Sequence, residues 1–326
     1  VEDGVLRVAM SAIEAGWHPY GEDEAGAVVP VFAEVGEEPT IPAPYLRAEM
    51  GQAVEVTIEN TLDSLLTVYG LGERRSAPLE AWQIRPGERA TRRFVADAEG
   101  SFYYFAKVGD YEENPFEAMG QARLNSVFMS GALVVQGPDM PEPIDEVMLL
   151  GVYAHGMGPA VLTINGRPWP YTKRMQYDMG DTVRWRVLNT SVRTHPMHLH
   201  GFYYDVEARG DLDQTEIYWD TQRPREVTVD MERGETMAIS WVASRPGNWL
   251  FHCHIAGHVA PNHYPLGEPA LQEDVIREQV LGDPHHDPDN HVLEGMGGLM
   301  MALNIRPSPD WSPDERDRRP MRMVVQ

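Results

Sequence analysis

The sequence predicts an all-β protein made of two similar domains, each a β-sandwich or barrel. Short segments with alternating apolar and polar residues run through most of the chain. The 29 glycines and 26 prolines lie mostly between those segments, where turns are expected. The chain also repeats itself, so that one domain plan is used twice. Together these observations favour sandwiches or barrels over helical folds.

Three segments show the strand pattern most clearly. Apolar residues occupy every second position in AVEVTIEN (53–60), in VRWRVLN (183–189) and in MAISW (237–241). Successive side chains of a strand point to opposite faces, so this alternation is typical of half-buried antiparallel strands.

The repeat links segments from the two halves of the chain. GQAVEVTIENTL (51–62) resembles GDTVRWRVLNTS (180–191), and PGERATRRFVADAEGSFYYFAK (86–107) resembles ERGETMAISWVASRPGNWLFHCH (232–254). A Pro-rich acidic stretch, VQGPDMPEPIDE (135–146), separates the copies and is typical of a linker. The sequence therefore predicts a first domain over 1–140 and a second over 141–326.

The second domain carries two additions. An acidic, Pro-rich insertion is predicted at about 259–294, with one short amphipathic helix in LQEDVIREQVLG (271–282). The charged, Pro-rich segment RPSPDWSPDERDRRPMRMVVQ (306–326) is typical of an irregular tail.

Composition excludes some classes of function. The net charge is -23 and no Lys/Arg-rich block occurs, which disfavours nucleic-acid binding. No run of 18 apolar residues could span a bilayer, and the first residues lack the basic and apolar regions of a signal peptide. A start at Val1 rather than Met leaves the removal of a leader open.

Most of the histidines gather around the lone cysteine. Ten of the 12 histidines lie between residues 195 and 291, and Cys253 is among them. In the motifs HPMHLHG (195–201) and HCHIAGH (252–258), residues i and i+2 of a strand face the same way. The strand geometry predicts two metal sites back to back, one containing Cys253 and one containing four histidines. The members of the second site are His198, His200, His252 and His254.

The Cys253 site has the donor set of a blue copper centre, which uses a thiolate, two imidazoles and a weak axial thioether. His195 and His258 are the predicted imidazoles. His291 is an alternative to His258, because HVLEGM (291–296) places a methionine five residues after a histidine. Met296 is the predicted axial ligand, although the position five residues after His258 holds His263.

These motifs resemble the C-terminal domain of multicopper oxidases, the laccase-like proteins built from Greek-key cupredoxin domains. The matching segments are TINGRPWP (163–170), RVLNTSVRTHPMHLHGF (186–202) and PGNWLFHCHIAGH (246–258), and weaker matches extend to residues 39–62. The resemblance implies copper as cofactor, with His195, Cys253, His258 and Met296 as type 1 ligands. It makes Cys253 the catalytic electron-transfer residue and the four other histidines half of a trinuclear copper cluster.

The first domain departs from the family pattern. Aligning TVYG (67–70) with HLHG and FAK (105–107) with HCH places no histidine where the family has its second set. Thr67, Tyr69, Phe105 and Lys107 stand there instead, and Ala106 stands opposite Cys253. A residual type 2/3-like site is therefore predicted in place of a complete cluster.

Two main functions remain open at this stage, and a third alternative is an interaction scaffold whose sites bind no metal. One is a laccase-like copper oxidoreductase that takes single electrons from a small-molecule or metal-ion donor and passes them through Cys253 to a histidine-bound metal. The other is a non-enzymatic electron-transfer or copper-binding protein, with a redox protein as a possible partner. The resemblance further implies a homotrimer in the periplasm or outside the cell, although a homotrimer would bring together only histidine-free first domains.

Overall fold

The computed structural model describes residues 4–24, 26–75, 80–109, 127–140, 144–153, 160–259 and 296–312. Within these ranges the chain is almost entirely β-strand, which confirms the predicted all-β class. The predicted helix at 271–282, the insertion from 260 onward, His263, His291 and the tail beyond 312 lie outside the described residues. No helix in the described part of the chain is both long and apolar enough to cross a membrane.

In the described part of its first half, the chain forms nine strands in two sheets. One sheet has the order β2-β1-β4-β7 and the other β3-β9-β8-β5-β6. Apolar side chains from both, such as Ile58 and Phe102, fill the space between them. The strands are β1 (Val5–Trp17), β2 (Ala27–Glu34), β3 (Ala43–Glu49), β4 (Ala53–Asn60), β5 (Leu66–Tyr69), β6 (Trp82–Ile84), β7 (Arg89–Val95), β8 (Gly100–Val108) and β9 (Gly131–Gln136), with a 3-10 turn at Val127–Met129.

The second half forms another two-sheet sandwich. One sheet has the order β11-β10-β13-β19-β15-β16, with β17 also paired to β15, and the other has the order β12-β21-β20-β14-β18. The strands are β10 (Glu146–Tyr153), β11 (Val161–Ile164), β12 (Met175–Asp178), β13 (Thr182–Asn189), β14 (His195–Leu199), β15 (Tyr204–Gly210), β16 (Thr215–Ile217), β17 (Arg225–Glu226), β18 (Thr228–Met231), β19 (Thr236–Val242), β20 (Gly247–Cys253) and β21 (Met300–Arg306), with a 3-10 turn at Ala256–His258.

The repeat seen in the sequence is present in the backbone. The matched glycines Gly87 and Gly234 both have positive φ, at 73° and 78°, in the turns before β7 and β19. The matched strands β4 and β13 both pair parallel with the first strand of their own half and antiparallel with a later one. The sandwiches are therefore two copies of one plan, while the exact domain boundary stays a prediction.

Strand pairing shifts one part of the predicted alignment by two residues. In the second domain Met197 pairs with Cys253 and His198 with His252. In the first domain Ala106, which stands for Cys253, pairs with Val68, and the neighbouring pair is Tyr69 with Phe105. The register therefore places Tyr69 at the position of His198, whereas the letter match of TVYG with HLHG had placed Thr67 there. The sequence match aligned Gly70 with Gly201. The structural match instead follows the hydrogen-bonded pairing of the strands, which sets the side chains that face each other. Neither position holds a histidine.

Candidate metal centre

Two neighbouring strands carry the histidine and cysteine motifs. Strand β14 lies between β18 and β20, and β20 pairs on its other side with β21. Met197 and Cys253, a directly opposed pair, belong to the buried core of the second sandwich. The alternate pair, His198 and His252, faces the other side of the sheet. The motifs thus form an inner site within the sandwich and an outer site on its sheet face.

The inner site consists of His195, Cys253 and His258, all three buried. Cys253 Sγ lies 3.4 Å from His258 Nδ1 and 3.7 Å from His195 Nδ1. The two Nδ1 atoms are 3.1 Å apart. Three donor atoms therefore converge on one point, and a thiolate with two imidazoles is a donor set that suits copper.

A close backbone contact holds His258 beside the cysteine. The 3-10 turn at 256–258 is bonded to the start of the last strand, where Leu299 N donates to His258 O and Cys253 N donates to Leu299 O, each at 3.0 Å. Between them Gly298 has φ +67°, and a Cβ there would lie 2.3 Å from His258 O. A glycine is therefore required for this turn to reach the site. The sequence shows several glycines around Met296, but the close approach of Gly298 to His258 O is visible only in the structure.

Burial sets the protonation of the metal-free inner site. It lowers the pKa of His195 to about 3, helped by the neighbouring His258 and Arg193. It also lowers the pKa of His258 and raises that of the Cys253 thiol to about 11. The imidazoles are thus neutral and ready to coordinate, whereas the thiol must lose its proton when a cation binds.

The outer site brings together the second group of histidines. His200 Nε2 and His252 Nε2 are 2.9 Å apart, and these two with His198 have ligand atoms that all lie within 4.8 Å of one another. The exposed His254 lies at their edge, with its ring 5.1 Å from that of His198 and 5.7 Å from that of His252. Three convergent imidazoles suit a copper or zinc ion.

Backbone carbonyls orient the outer rings. His198 Nδ1 lies 2.8 Å from Val227 O and 2.7 Å from Thr228 Oγ1, while His252 Nδ1 lies 2.7 Å from Cys253 O. A carbonyl can only accept, so both Nδ1 atoms carry the proton and each Nε2 is the unprotonated nitrogen; that of His252 faces His200 Nε2. Sequence reasoning missed Val227 and Thr228, because their position depends on the pairing of β14 with β18.

The predicted axial ligand lies against a different group of side chains. Met296 is half-buried and packs against a cluster that includes Trp169, Leu250 and Met300. Leu250 and Cys253 are three residues apart on one strand, so their side chains face opposite sides of the sheet. The axial role of Met296 stays a prediction, as does the use of His258 rather than His291.

The first domain presents aromatic side chains where the second has its outer histidines. Tyr69 and Phe105 are buried and stack with ring centroids 5.2 Å apart. They belong to an apolar cluster that joins the two sandwiches and includes Leu149 and Leu188 of the second. Lys107 and Thr67 beside them are also buried. Phe105 has no donor atom and Tyr69 offers a phenol in place of an imidazole, so the described residues do not supply the second set of histidines that a complete trinuclear cluster would take.

Comparisons with known proteins agree with this architecture. A crystal structure of the blue copper oxidase from Nitrosomonas europaea superposes with a TM-score of 0.65 at 19% identity, covering 99% of this chain and 97% of that chain. A copper nitrite reductase from the same organism gives a TM-score of 0.62 at 14% identity, covering 94% of this chain and 95% of the other. At these identities the likeness concerns the fold, and it confirms the predicted cupredoxin-like architecture.

Sequence comparisons identify the family. Two models of the multicopper oxidase family match residues 35–125 and 140–264, which together span more than half of the chain. The iron transport multicopper oxidase fio1 of Schizosaccharomyces pombe is 34% identical over 132 residues, covering 35% of this chain and 20% of that protein. The matched segments span about a quarter or less of such curated relatives. The chain therefore belongs to the multicopper oxidase family, whose cofactor is copper.

Proposed function

We propose that this protein is a laccase-like copper oxidoreductase with an inner electron-entry site and an outer histidine site. The observation that carries the proposal is the continuity of the two sites. His252, Cys253 and His254 are consecutive, with the cysteine in the inner site and the histidines on the outer face. His252 also donates its Nδ1 proton to Cys253 O at 2.7 Å. The two sites are thus joined through covalent bonds and through one hydrogen bond.

Copper bound by the inner residues would supply one-electron chemistry, with electrons from a donor leaving through Cys253 toward the outer metal. The protein's own part is to hold His195 and His258 neutral and to shield Cys253 from water, since all three are buried. A rigid, dry pocket keeps the ligands in place when the charge of the site changes, which limits reorganisation.

On the outer face, His198, His200 and His252 suffice for a single metal ion with an open coordination position. Tyr69 and Phe105 add no imidazoles to this face, so the oxidoreductase would have to pass its electrons to dioxygen at the second-domain metal rather than at a complete trinuclear cluster. The same observation favours a second candidate function, a non-enzymatic electron carrier or copper-binding protein that keeps only the inner site.

The remaining parts of the proposal concern partners. The donor is a small molecule or a metal ion, and for the carrier function it is a redox protein. Family resemblance adds a homotrimer and a periplasmic or extracellular location. Tyr69 and Phe105 are already covered by the second sandwich of the same chain. A trimer contact at the outer histidines would therefore have to use another surface.

Copper counting, visible spectroscopy and oxygen uptake test both functions on one preparation. The copper-loaded protein should show an intense visible band that disappears in Cys253→Ser, and the oxidoreductase should consume oxygen with phenolic or metal-ion donors. His198→Ala should reduce that turnover while keeping the band. A reversible band without turnover would establish the carrier function instead. The absence of bound copper in the unaltered protein would refute both.

A further inference from the structure

The far nitrogen of one inner histidine contacts a buried hydroxyl. His195 directs Nδ1 toward Cys253 and His258, and its Nε2 lies 2.8 Å from Ser191 Oγ. Ser191 and His195 both have no exposed surface. In a buried pair the direction of this hydrogen bond decides which ring nitrogen carries the proton.

The orientation of a neighbouring amide is fixed first. The two protons of Asn189 Nδ2 are shared among three carbonyl oxygens, those of Arg193 at 2.7 Å, Glu232 at 2.9 Å and Met231 at 3.0 Å. A flipped amide would place Oδ1 against all three, so the assignment is unambiguous. Asn189 Oδ1 therefore acts as an acceptor, and it already receives the backbone N–H of Ser191 at 3.1 Å.

The single hydroxyl proton of Ser191 is then accounted for. Ser191 Oγ lies 2.7 Å from Asn189 Oδ1 and 3.2 Å from Arg193 O, and neither of these atoms can donate. A hydroxyl that donated to His195 would leave two acceptor oxygens 2.7 Å apart with no proton between them. The proton therefore goes to Asn189, and Ser191 Oγ accepts from Arg193 N–H at 3.2 Å and from His195.

The first domain provides an internal comparison without a metal site. Asn60, the repeat partner of Asn189, makes the same contacts, donating to Ser64 O at 3.0 Å and Ile84 O at 2.9 Å and accepting from Leu62 N at 3.1 Å. The asparagine thus stabilises the turn in both domains. The positions of Ser191 and His195, however, are taken there by Leu62 and Leu66, both in the apolar core. Of the two domains, only the second therefore has a serine at this position, and it lies beside a histidine nitrogen.

We propose that Ser191 is a positioning residue of the inner site. It accepts the Nε2–H of His195 and so holds the ring with an unprotonated Nδ1 facing Cys253 and His258. The metal-free ring is thereby set in the tautomer that coordination requires. The consequence for copper rests on the proposed function, whereas the tautomer is a property of the metal-free protein.

The tautomer can be read directly in the metal-free full chain. Nitrogen NMR of 15N-histidine-labelled protein, assigned with His195→Gln, should show His195 protonated at Nε2 at neutral pH. Ser191→Ala should lose this preference, Ser191→Thr should keep it, and Thr190→Val, which removes a neighbouring buried hydroxyl, should leave it unchanged. A wild-type ring protonated at Nδ1, or a tautomer unaffected by Ser191→Ala, would overturn the proposal.

Copper binding gives an independent second measurement. Loss of an outer hydrogen bond to a ligating histidine typically weakens metal binding about 10- to 100-fold. We expect that loss in Ser191→Ala, with a shifted visible band and reduction potential, and recovery in Ser191→Thr. An unchanged affinity and potential in Ser191→Ala would refute the positioning role. If the wild-type protein bound no copper at all, the proposed function would fail while the NMR result still decided the role of Ser191.

Discussion

Acid should destabilise the metal-free protein through His195, and replacing this residue by leucine should remove that effect. His195→Leu is a mild change because Leu66 occupies the corresponding core position of the first domain. Burial lowers the pKa of His195 from 6.5 to about 3 in the folded protein. As the pH falls below 6.5, His195 therefore binds a proton in the unfolded chain but stays neutral in the folded chain.

The size of the effect follows from proton linkage. The unfolded state binds more protons between pH 6.5 and pH 3, so the free energy of unfolding decreases as the pH falls. At pH 4.5, two pH units below the unfolded-state pKa of 6.5, protonation of His195 favours the unfolded state. Each of those units is worth about 1.4 kcal/mol. His195 should thus cost about 3 kcal/mol at pH 4.5 relative to pH 7.5. The lowered pKa of His258 acts in the same direction.

Urea unfolding in a chelator at pH 7.5 and pH 4.5 measures this contribution. The difference in free energy of unfolding between His195→Leu and the wild type should change by about 3 kcal/mol in favour of the variant at the lower pH. Met197→Leu is the matched control, since Met197 is buried on the same face and does not titrate. An identical difference at both pH values would refute the argument that His195 is held neutral by burial.

Three further predictions concern other parts of the molecule. Cys253→Ser should abolish the visible band and lower bound copper by one ion per chain, as measured by metal analysis. Phe105→Ala should lower the free energy of unfolding by about 3 to 5 kcal/mol in denaturant titrations, because it leaves a cavity between the sandwiches; a loss below about 1 kcal/mol would contradict that packing. Gly298→Ala should weaken copper binding in competition titrations because its Cβ meets His258 O, whereas Gly257→Ala, with open space around it, should not.

Much of this molecule could be predicted from the sequence because local rules act there without competition. The strands β4 and β13 follow the alternating pattern, and burial in β4 alternates strictly. The inner and outer groups also follow from the two-residue period of a strand, since that period alone separates Cys253 from His252. Local pattern therefore sufficed for the class of fold and for the division of the ligands.

What depends on distant pairing could not be predicted. The match that placed Thr67 at the first histidine position was two residues out, because register is set by hydrogen bonds to β6 and β8. The role of Ser191 could not be predicted for the same reason. It depends on the orientation of the Asn189 side-chain amide, which donates to Met231 O on β18. One signal was available, however. The repeat conserves Asn60 and Asn189 but has Leu62 where the second domain has Ser191, and a polar residue at a core position points to a buried partner.

The same sheet face serves opposite purposes in the two sandwiches. In the second, His198 and His252 present lone pairs outward, and their neighbour His254 is exposed. In the first, Tyr69 and Phe105 occupy the equivalent pair, and both are buried against the second sandwich. Imidazoles there would bury polar nitrogens without partners, which costs several kcal/mol per group, whereas aromatic rings favour a dry contact. In the first sandwich this face is therefore occupied by an interdomain packing contact instead of metal ligands. In the proposed function, electrons leaving Cys253 would therefore pass to a metal held by the second-domain histidines, since among the described residues the first domain has no histidine on this face.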